Sequence, residues 1–96
     1  MRYEILLAPE ALADLLAFKA NLRAELRDAI ERHLRHEPTA ISRARIKRLQ
    51  GEGSPDYRLR VGDVRVFYDV TEGQVWIVAI VSKDGSEDWL RKAGRR

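Results

Sequence analysis

The sequence predicts an α+β fold, with a helical hairpin packed on a small, mainly antiparallel sheet and a short C-terminal helix. Three observations support this prediction. Apolar residues recur at helical spacing in the first half of the chain, strand-like runs fill the second half, and the length suits one hydrophobic core. We therefore expect a single domain over residues 1–96 with the element order β-α-α-β-β-β.

The first third of the chain predicts a strand followed by two helices. Residues 3–7 are strand-like, and Pro9 follows where a helix can begin, because the first turn needs no backbone N–H from it. We expect the first helix to end near Asn21, whose side chain would cap the second helix. The second helix should stop before Pro38.

Residues 57–68 predict a β-hairpin. Gly62 and Asp63 form a two-residue loop, and glycine in the first loop position suits a type II′ turn. This loop length fixes the register, which places Arg60 opposite Arg65 and Tyr57 opposite Tyr68. One face of the hairpin is then apolar, with Tyr57, Leu59, Val61, Val64, Val66 and Tyr68. The other face carries Arg58, Arg60, Arg65 and Phe67.

The side of the predicted sheet that carries Arg58, Arg60 and Arg65 is called the arginine face here. Like charges directly opposite each other destabilise a sheet, so Arg60 against Arg65 needs an explanation. A phosphate-bearing ligand is one explanation. The alternative is that each arginine pairs with a local carboxylate such as Asp69, or is simply solvated.

The remaining segments predict a long connection, a covered strand and a terminal helix. Residues 39–56 are rich in turn formers and basic side chains, and we expect no strand there. Residues 74–81 are apolar on both faces, which predicts a strand covered on both sides. We assign Val75, Ile77, Ala79 and Val81 to one face and Trp76, Val78 and Ile80 to the other. Ser86 is predicted to cap the terminal helix.

Composition narrows the possible functions. The net charge is +3, but residues 43–65 alone hold seven basic and three acidic side chains. Such a cluster suggests a polyanion or an acidic protein partner. With no cysteine there is no disulfide, zinc–thiolate site or thiol nucleophile. The two histidines, His33 and His36, lack a third ligand nearby, so we expect no metal and no cofactor.

Targeting signals are not evident in the sequence. No apolar run approaches the roughly 20 residues of a membrane span, and the N-terminus has no secretory pattern. We therefore expect a cytoplasmic protein without membrane contact.

Two motifs give the sequence a family resemblance. The segment Ile46-Lys47-Arg48-Leu49-Gln50-Gly51 precedes the hairpin, and Ala8-Pro9-Glu10-Ala11 follows the first strand. Together with the hairpin, these motifs resemble the RelE/ParE superfamily of bacterial type II toxins. The resemblance implies a compact toxin held inactive by a cognate antitoxin in a hetero-oligomer. It also implies that this complex represses its own operon.

The RelE branch further implies a metal-independent endonuclease that cuts mRNA in the ribosomal A site. By this resemblance Arg58, Arg60 and Arg65 would be the catalytic residues, neutralising charge on the scissile phosphate as the ribose 2′-hydroxyl attacks. The resemblance also implies that the residues binding substrate or phosphate are Lys47, Arg48, Lys83 and Trp89.

The C-terminal region departs from the pattern of catalytically active relatives. Those relatives commonly carry an arginine or histidine and then a tyrosine, whereas this chain has Lys83-Asp84 and then Trp89. Trp89 lacks a hydroxyl, so it either stacks on a base or seals the edge of the core. Three hypotheses stay open: a ribosome-dependent mRNA endonuclease, a ParE-like toxin that inhibits DNA gyrase, and an antitoxin-binding module with little toxicity. Whether the chain is an enzyme is open as well.

Overall fold

The structure, a computed structural model, describes residues 1–95 and confirms the α+β prediction. It contains five strands and three helices. In chain order they are β1 (Glu4–Leu7), α1 (Pro9–Ala17), α2 (Ala20–Leu34), β2 (Ile46–Arg48), β3 (Tyr57–Val61), β4 (Val64–Thr71), β5 (Gln74–Ser82) and α3 (Lys83–Lys92). None of the helices within residues 1–95 is long and apolar enough to cross a membrane.

All five strands belong to one sheet with the order β1-β5-β4-β3-β2. The strands β2 to β5 pair antiparallel, whereas β1 runs parallel to β5. The helical hairpin separates β1 from the rest of the sheet in sequence and returns the chain to the far edge. The mainly antiparallel sheet is therefore as predicted.

The main core lies between the helical hairpin and the sheet face opposite the arginines. Helices α1 and α2 contribute Ala11, Leu15, Leu26, Ile30 and Leu34, and the strands contribute all six predicted apolar residues of the hairpin. Tyr68 is fully buried there, and its hydroxyl donates a hydrogen bond to the Pro38 carbonyl oxygen at 2.7 Å. This bond anchors the segment that follows α2 at the centre of the core.

A second, smaller core lies on the arginine face under α3. Leu49, Phe67 and Ala79 are buried there, and Trp89 and Leu90 pack against them. The sheet is therefore covered on both sides along the second half of β5, as its sequence predicts, whereas Trp76 in the first half is 40% exposed. The face assignment along β5 was wrong in its second half, because a register shift against β4 moves Ile80 into the main core and Ala79 onto the arginine face.

The predicted connection over residues 39–56 is interrupted by the short strand β2, which the sequence analysis missed. Ile46 is buried opposite Leu59, while Lys47 lies opposite Arg58. This pairing extends the sheet by one edge strand. It also adds a cation to the arginine face.

Both predicted side-chain caps were wrong. Helix α2 begins at Ala20 after Lys19, and no side chain caps it. Helix α3 begins at Lys83, directly after β5, so Ser86 lies inside the helix. There the Ser86 hydroxyl donates a hydrogen bond to the Lys83 carbonyl oxygen at 2.8 Å.

Candidate anion-binding cleft

The β3–β4 hairpin has the predicted turn and register. Gly62 has a φ of 57°, which a type II′ turn requires at its first loop position, and Asp63 has no positive φ. Arg60 lies opposite Arg65 and Arg58 lies opposite Phe67. The three arginines thus share one face of adjacent strands.

A cleft of about 800 Å³ runs between this face and α3. The strands β2, β3 and β4 provide one side and the floor, α3 provides the other side, and the C-terminal segment closes one end. Its lining comprises Lys47, Leu49, Gly51, Arg58, Arg65, Phe67, Lys83, Ser86, Glu87, Leu90, Arg91, Gly94 and Arg95. Six of these side chains are cationic and one is anionic, so the cleft is suited to an anion.

Arg58 carries the clearest sign of a missing ligand. Its Nε is shielded from solvent and has no hydrogen-bond partner among residues 1–95. Burial lowers the pKa of Arg58, and the charges of Arg65 and Arg60 lower it further. A buried donor without an acceptor is costly, and a shift of this guanidinium towards an anion in the cleft would remove that cost.

Arg65 is buried and held in place by the hairpin turn. Its guanidinium donates hydrogen bonds to the carbonyl oxygens of Gly62 at 2.8 Å and Val64 at 3.2 Å. Burial and the charge of Arg60 lower the pKa of Arg65, and Asp63 partly offsets them. No ion pair within 4 Å involves Arg58, Arg60 or Arg65 in the described part of the chain.

Asp69 does not neutralise the arginines, contrary to the alternative raised from the sequence. Its carboxylate accepts hydrogen bonds from the Ser54 hydroxyl and from the backbone N–H of Asp56, the latter at 2.8 Å. These bonds tie the loop before β3 onto the sheet. The positive charge of the arginine face therefore stays available to a ligand.

Arg95 closes one end of the cleft. Its Nε donates to the Pro55 carbonyl oxygen at 2.7 Å, and its Nη2 reaches the Leu49 carbonyl oxygen at 3.2 Å and Asp56 Oδ1 at 3.0 Å. The backbone of Gly51 pairs with Arg95, and a Cβ at Gly51 would lie 2.7 Å from the Gly94 carbonyl oxygen. Glycine at position 51 thus permits this close approach.

The seven predicted site residues do not all meet in the cleft. Four of them line it, namely Lys47, Arg58, Arg65 and Lys83. Arg60 is exposed beside Arg65 without lining the cleft. Arg48 lies over the Tyr57 ring, 5.6 Å from its centroid, on the opposite side of the sheet from Lys47.

Trp89, the last predicted site residue, stacks on Phe67 behind the cleft, with ring centroids 4.8 Å apart and planes 6° apart. One face of its ring is therefore occupied by the protein itself. Glu87, Arg91 and Arg95 line the cleft but were not predicted as site residues. The helical spacing of Lys83, Glu87 and Arg91 is the sequence signal that would have indicated two of them.

The two histidines lie in a separate groove of about 600 Å³ on the other side of β2. Burial lowers the pKa of His33, as do the charges of Arg45 and Arg32. Within residues 1–95 no group of three histidine, aspartate or glutamate side chains is placed to hold a metal ion.

These features define a small basic α+β domain with a cation-lined cleft between its sheet and α3. The family model described as ParE toxin of the type II toxin–antitoxin system parDE matches residues 5–88. The chain therefore belongs to this toxin family within the RelE/ParE superfamily, which confirms the resemblance seen in its sequence. Among curated protein sequences, none matches the chain significantly.

Solved structures of toxin–antitoxin complexes share this fold. A chain of the RelBE2 complex from Mycobacterium tuberculosis is 20% identical with a TM-score of 0.71, covering 85% of this chain and 99% of that one. A chain of the archaeal RelE–RelB complex from Pyrococcus horikoshii is 26% identical with a TM-score of 0.63, covering 86% and 97%. A chain of the RelB–RelE complex from Methanococcus jannaschii is 16% identical with a TM-score of 0.57, covering 88% and 96%.

Proposed function

We propose that this type II toxin cuts mRNA on the ribosome and thereby blocks translation. The observation that carries the proposal is a cleft lined by six cations, of which only Arg91 and Arg95 form ion pairs among residues 1–95. A phosphodiester supplies the acceptor oxygens and the negative charge that the cleft lacks. Such a target places the action of the protein in the cytoplasm.

In the proposed reaction the ribose 2′-oxygen attacks the adjacent phosphorus and the bond from phosphorus to the 5′-oxygen breaks. Negative charge grows on the phosphate oxygens in the transition state. Arg65 is buried and held by the hairpin turn, so it needs no reorganisation to stabilise that charge, and the partly buried Arg58 also lines the cleft. Arg60, exposed beside Arg65, adds to the same positive potential.

The remaining lining suits a short single-stranded segment of RNA. Lys47 and Lys83 lie on opposite sides of the cleft, where each is placed to hold a phosphate flanking the scissile one. The partly exposed Leu90 provides an apolar surface that an unstacked base prefers. Arg48 and Trp89 have no part in this proposal, because they lie outside the cleft.

The proposed protein partner is a cognate antitoxin. The similar solved structures are toxin–antitoxin complexes, and an acidic antitoxin segment would neutralise the arginine face. We expect a hetero-oligomer whose stability falls with rising salt, because screening weakens contacts between exposed charges. Co-purification with the product of the neighbouring reading frame tests this expectation, and a failure to co-purify at low salt would contradict it.

Induction of the chain in bacteria, followed by pulse-labelling of new protein and new DNA, tests the function. We expect protein synthesis to stop first and mRNA cuts to map to the ribosomal A site. Arg58→Ala and Arg65→Ala should each reduce cleavage at least about 100-fold, the scale of losing one transition-state donor. Arg27→Ala, which removes an exposed arginine on α2, is the matched control.

Cleavage that survives both cleft substitutions in folded protein would overturn the proposal. Circular dichroism of each purified variant establishes whether it folds. If protein synthesis continues while the wild-type chain accumulates, translation is not the target.

A second candidate function is inhibition of DNA gyrase without RNA cleavage. The match to the ParE family model favours it, and so does the absence of a hydroxyl at Trp89. In that case the cleft arginines form a protein-binding surface, and DNA synthesis stops before protein synthesis. A supercoiling assay with purified gyrase distinguishes the two, because the endonuclease leaves supercoiling unchanged.

A further inference from the structure

Any cleavage by 2′-hydroxyl attack needs a group that takes the hydroxyl proton, and the cleft contains one candidate. We propose that Glu87 is the general base of the reaction, an inference that rests on the proposed endonuclease function. Glu87 is the sole carboxylate among the cleft-lining residues of the described chain. The family resemblance implied no role for Glu87.

The other polar groups of the cleft are unsuited to this role. Its arginine and lysine side chains are hydrogen-bond donors without an acceptor atom. The Ser86 hydroxyl already donates its hydrogen to the Lys83 carbonyl oxygen. Both histidines lie in the separate groove across β2, and Tyr68 lies in the main core.

The placement of Glu87 suits a base acting beside a bound phosphate. Lys83, Glu87 and Arg91 follow one another at four-residue spacing, so they share one side of α3. That side faces Arg58 and Arg65 across the cleft. A ribose whose phosphate contacts the arginines is thereby brought towards the opposite wall, where Glu87 lies.

The Glu87 carboxylate is also free to act. Neither Lys83 nor Arg91 forms an ion pair with it within 4 Å in residues 1–95, and Arg91 instead pairs with Asp88 at 3.1 Å. Glu87 is exposed, so a ligand in the cleft can reach its carboxylate. A carboxylate beside a bound phosphate repels it, and a role in proton transfer accounts for that cost.

In the proposed step, Glu87 accepts the proton of the 2′-hydroxyl as the ribose 2′-oxygen forms a bond to phosphorus. The bond from phosphorus to the 5′-oxygen breaks, and water donates a proton to that leaving oxygen. The products are a 2′,3′-cyclic phosphate and a 5′-hydroxyl, and Glu87 returns its proton to solvent.

Single-turnover cleavage of ribosome-bound mRNA, with toxin in excess, tests this inference. Glu87→Gln should lower the rate at least about 100-fold, since a positioned base contributes that much or more. Ribosome binding, measured by co-sedimentation, should not weaken. Glu87→Asp should recover part of the rate, and the products of the wild type should end in a cyclic phosphate.

The pH profile separates a base from a residue that merely shapes the cleft. We expect the wild-type rate to rise with pH on the acid side and reach a plateau, and Glu87→Gln to lose that rise. Asp84→Asn is the matched control, because Asp84 is a carboxylate on the same helix that does not line the cleft.

The outcomes distinguish the two proposals. A Glu87→Gln rate within about threefold of the wild type, with an unchanged pH profile, would overturn the role of Glu87 alone. If the wild-type chain leaves ribosome-bound mRNA intact, the endonuclease function itself fails and this inference fails with it.

Discussion

Arg60 and Arg65 lie directly opposite each other across the β3–β4 pair, two like charges held together by the register of a two-residue turn. Burial lowers the pKa of nearby Arg58, and the charges of Arg65 and Arg60 lower it further. The folded protein therefore keeps repulsion between like charges on the arginine face. A ligand that carries negative charge relieves it, which is the physical basis of the proposed function.

Removing one of the two opposed charges should stabilise the fold. Arg60→Gln is expected to raise the free energy of unfolding by about 0.5 kcal/mol at low salt, the scale of cross-strand charge pairs. The gain should shrink in 1 M NaCl, where charges are screened within about 3 Å. Urea denaturation at two salt concentrations measures it, with Arg27→Gln as the control. An equal gain at both salt concentrations would contradict the electrostatic cause.

The stack of Trp89 on Phe67 should be the main apolar anchor of α3. Trp89→Ala is expected to lower the free energy of unfolding by about 2 kcal/mol or more, because it removes a half-buried aromatic pair. Trp76→Ala is the matched control, since its side chain is 40% exposed, and it should cost less than about 1 kcal/mol. Urea denaturation followed by far-ultraviolet circular dichroism compares them; equal losses would show that the stack adds nothing.

Arg95 should contribute more to stability than any exposed ion pair. Its side chain is 3% exposed, and Arg95→Ala would strip three acceptors of their partner, including the Asp56 carboxylate. We expect a loss of about 2–3 kcal/mol. Arg32→Ala breaks an exposed pair with Asp28 and should change stability by less than about 0.5 kcal/mol. Thermal unfolding of both variants tests this, and similar melting temperatures would refute it.

The buried hydroxyl of Tyr68 should make the fold sensitive to alkaline pH. Burial raises the pKa of Tyr68 above its ordinary value near 10, and Tyr57 raises it further. The folded form keeps the proton, so this stability is complete below pH 10 and is lost as pH rises beyond it.

The wild-type free energy of unfolding should therefore fall by as much as about 1.4 kcal/mol per pH unit above pH 10 from this group. The free energy of unfolding of Tyr68→Phe should fall less steeply with pH. This variant loses the hydrogen bond to Pro38, so it should be about 1–2 kcal/mol less stable at pH 7. Urea denaturation at pH 9 and pH 11 measures the difference between the slopes. Parallel slopes would exclude Tyr68 as the cause.

The hairpin was predictable in full because its information is local. A two-residue turn sets the register, and alternation then assigns every side chain to a face. Strand β2 was not predictable in the same way. Its three residues lie among turn formers and basic side chains, and they become a strand through pairing with β3. Similarly, the register shift in β5 depends on its partner β4.

The cleft was only half predictable for a related reason. The arginines follow from the hairpin, but the opposite wall depends on where α3 packs. In the sequence Arg95 resembles any solvated charge near the C-terminus, and its buried contacts are with residues 39 to 46 positions away. Likewise, Glu87 becomes a candidate site residue only because it lines the same cleft as the arginines. Long-range contacts of this kind leave no periodicity in a sequence.

The parallel pairing of β1 with β5 bears on how the protein is made. Glu4 lies beside Gln74, although 70 residues separate them, so the sheet closes only after β5 has left the ribosome. Contacts of such separation form late, because a long loop must first be ordered. Helix α3, which forms one side of the cleft, follows β5 in the chain. A nascent chain therefore carries no finished cleft until α3 has been synthesised.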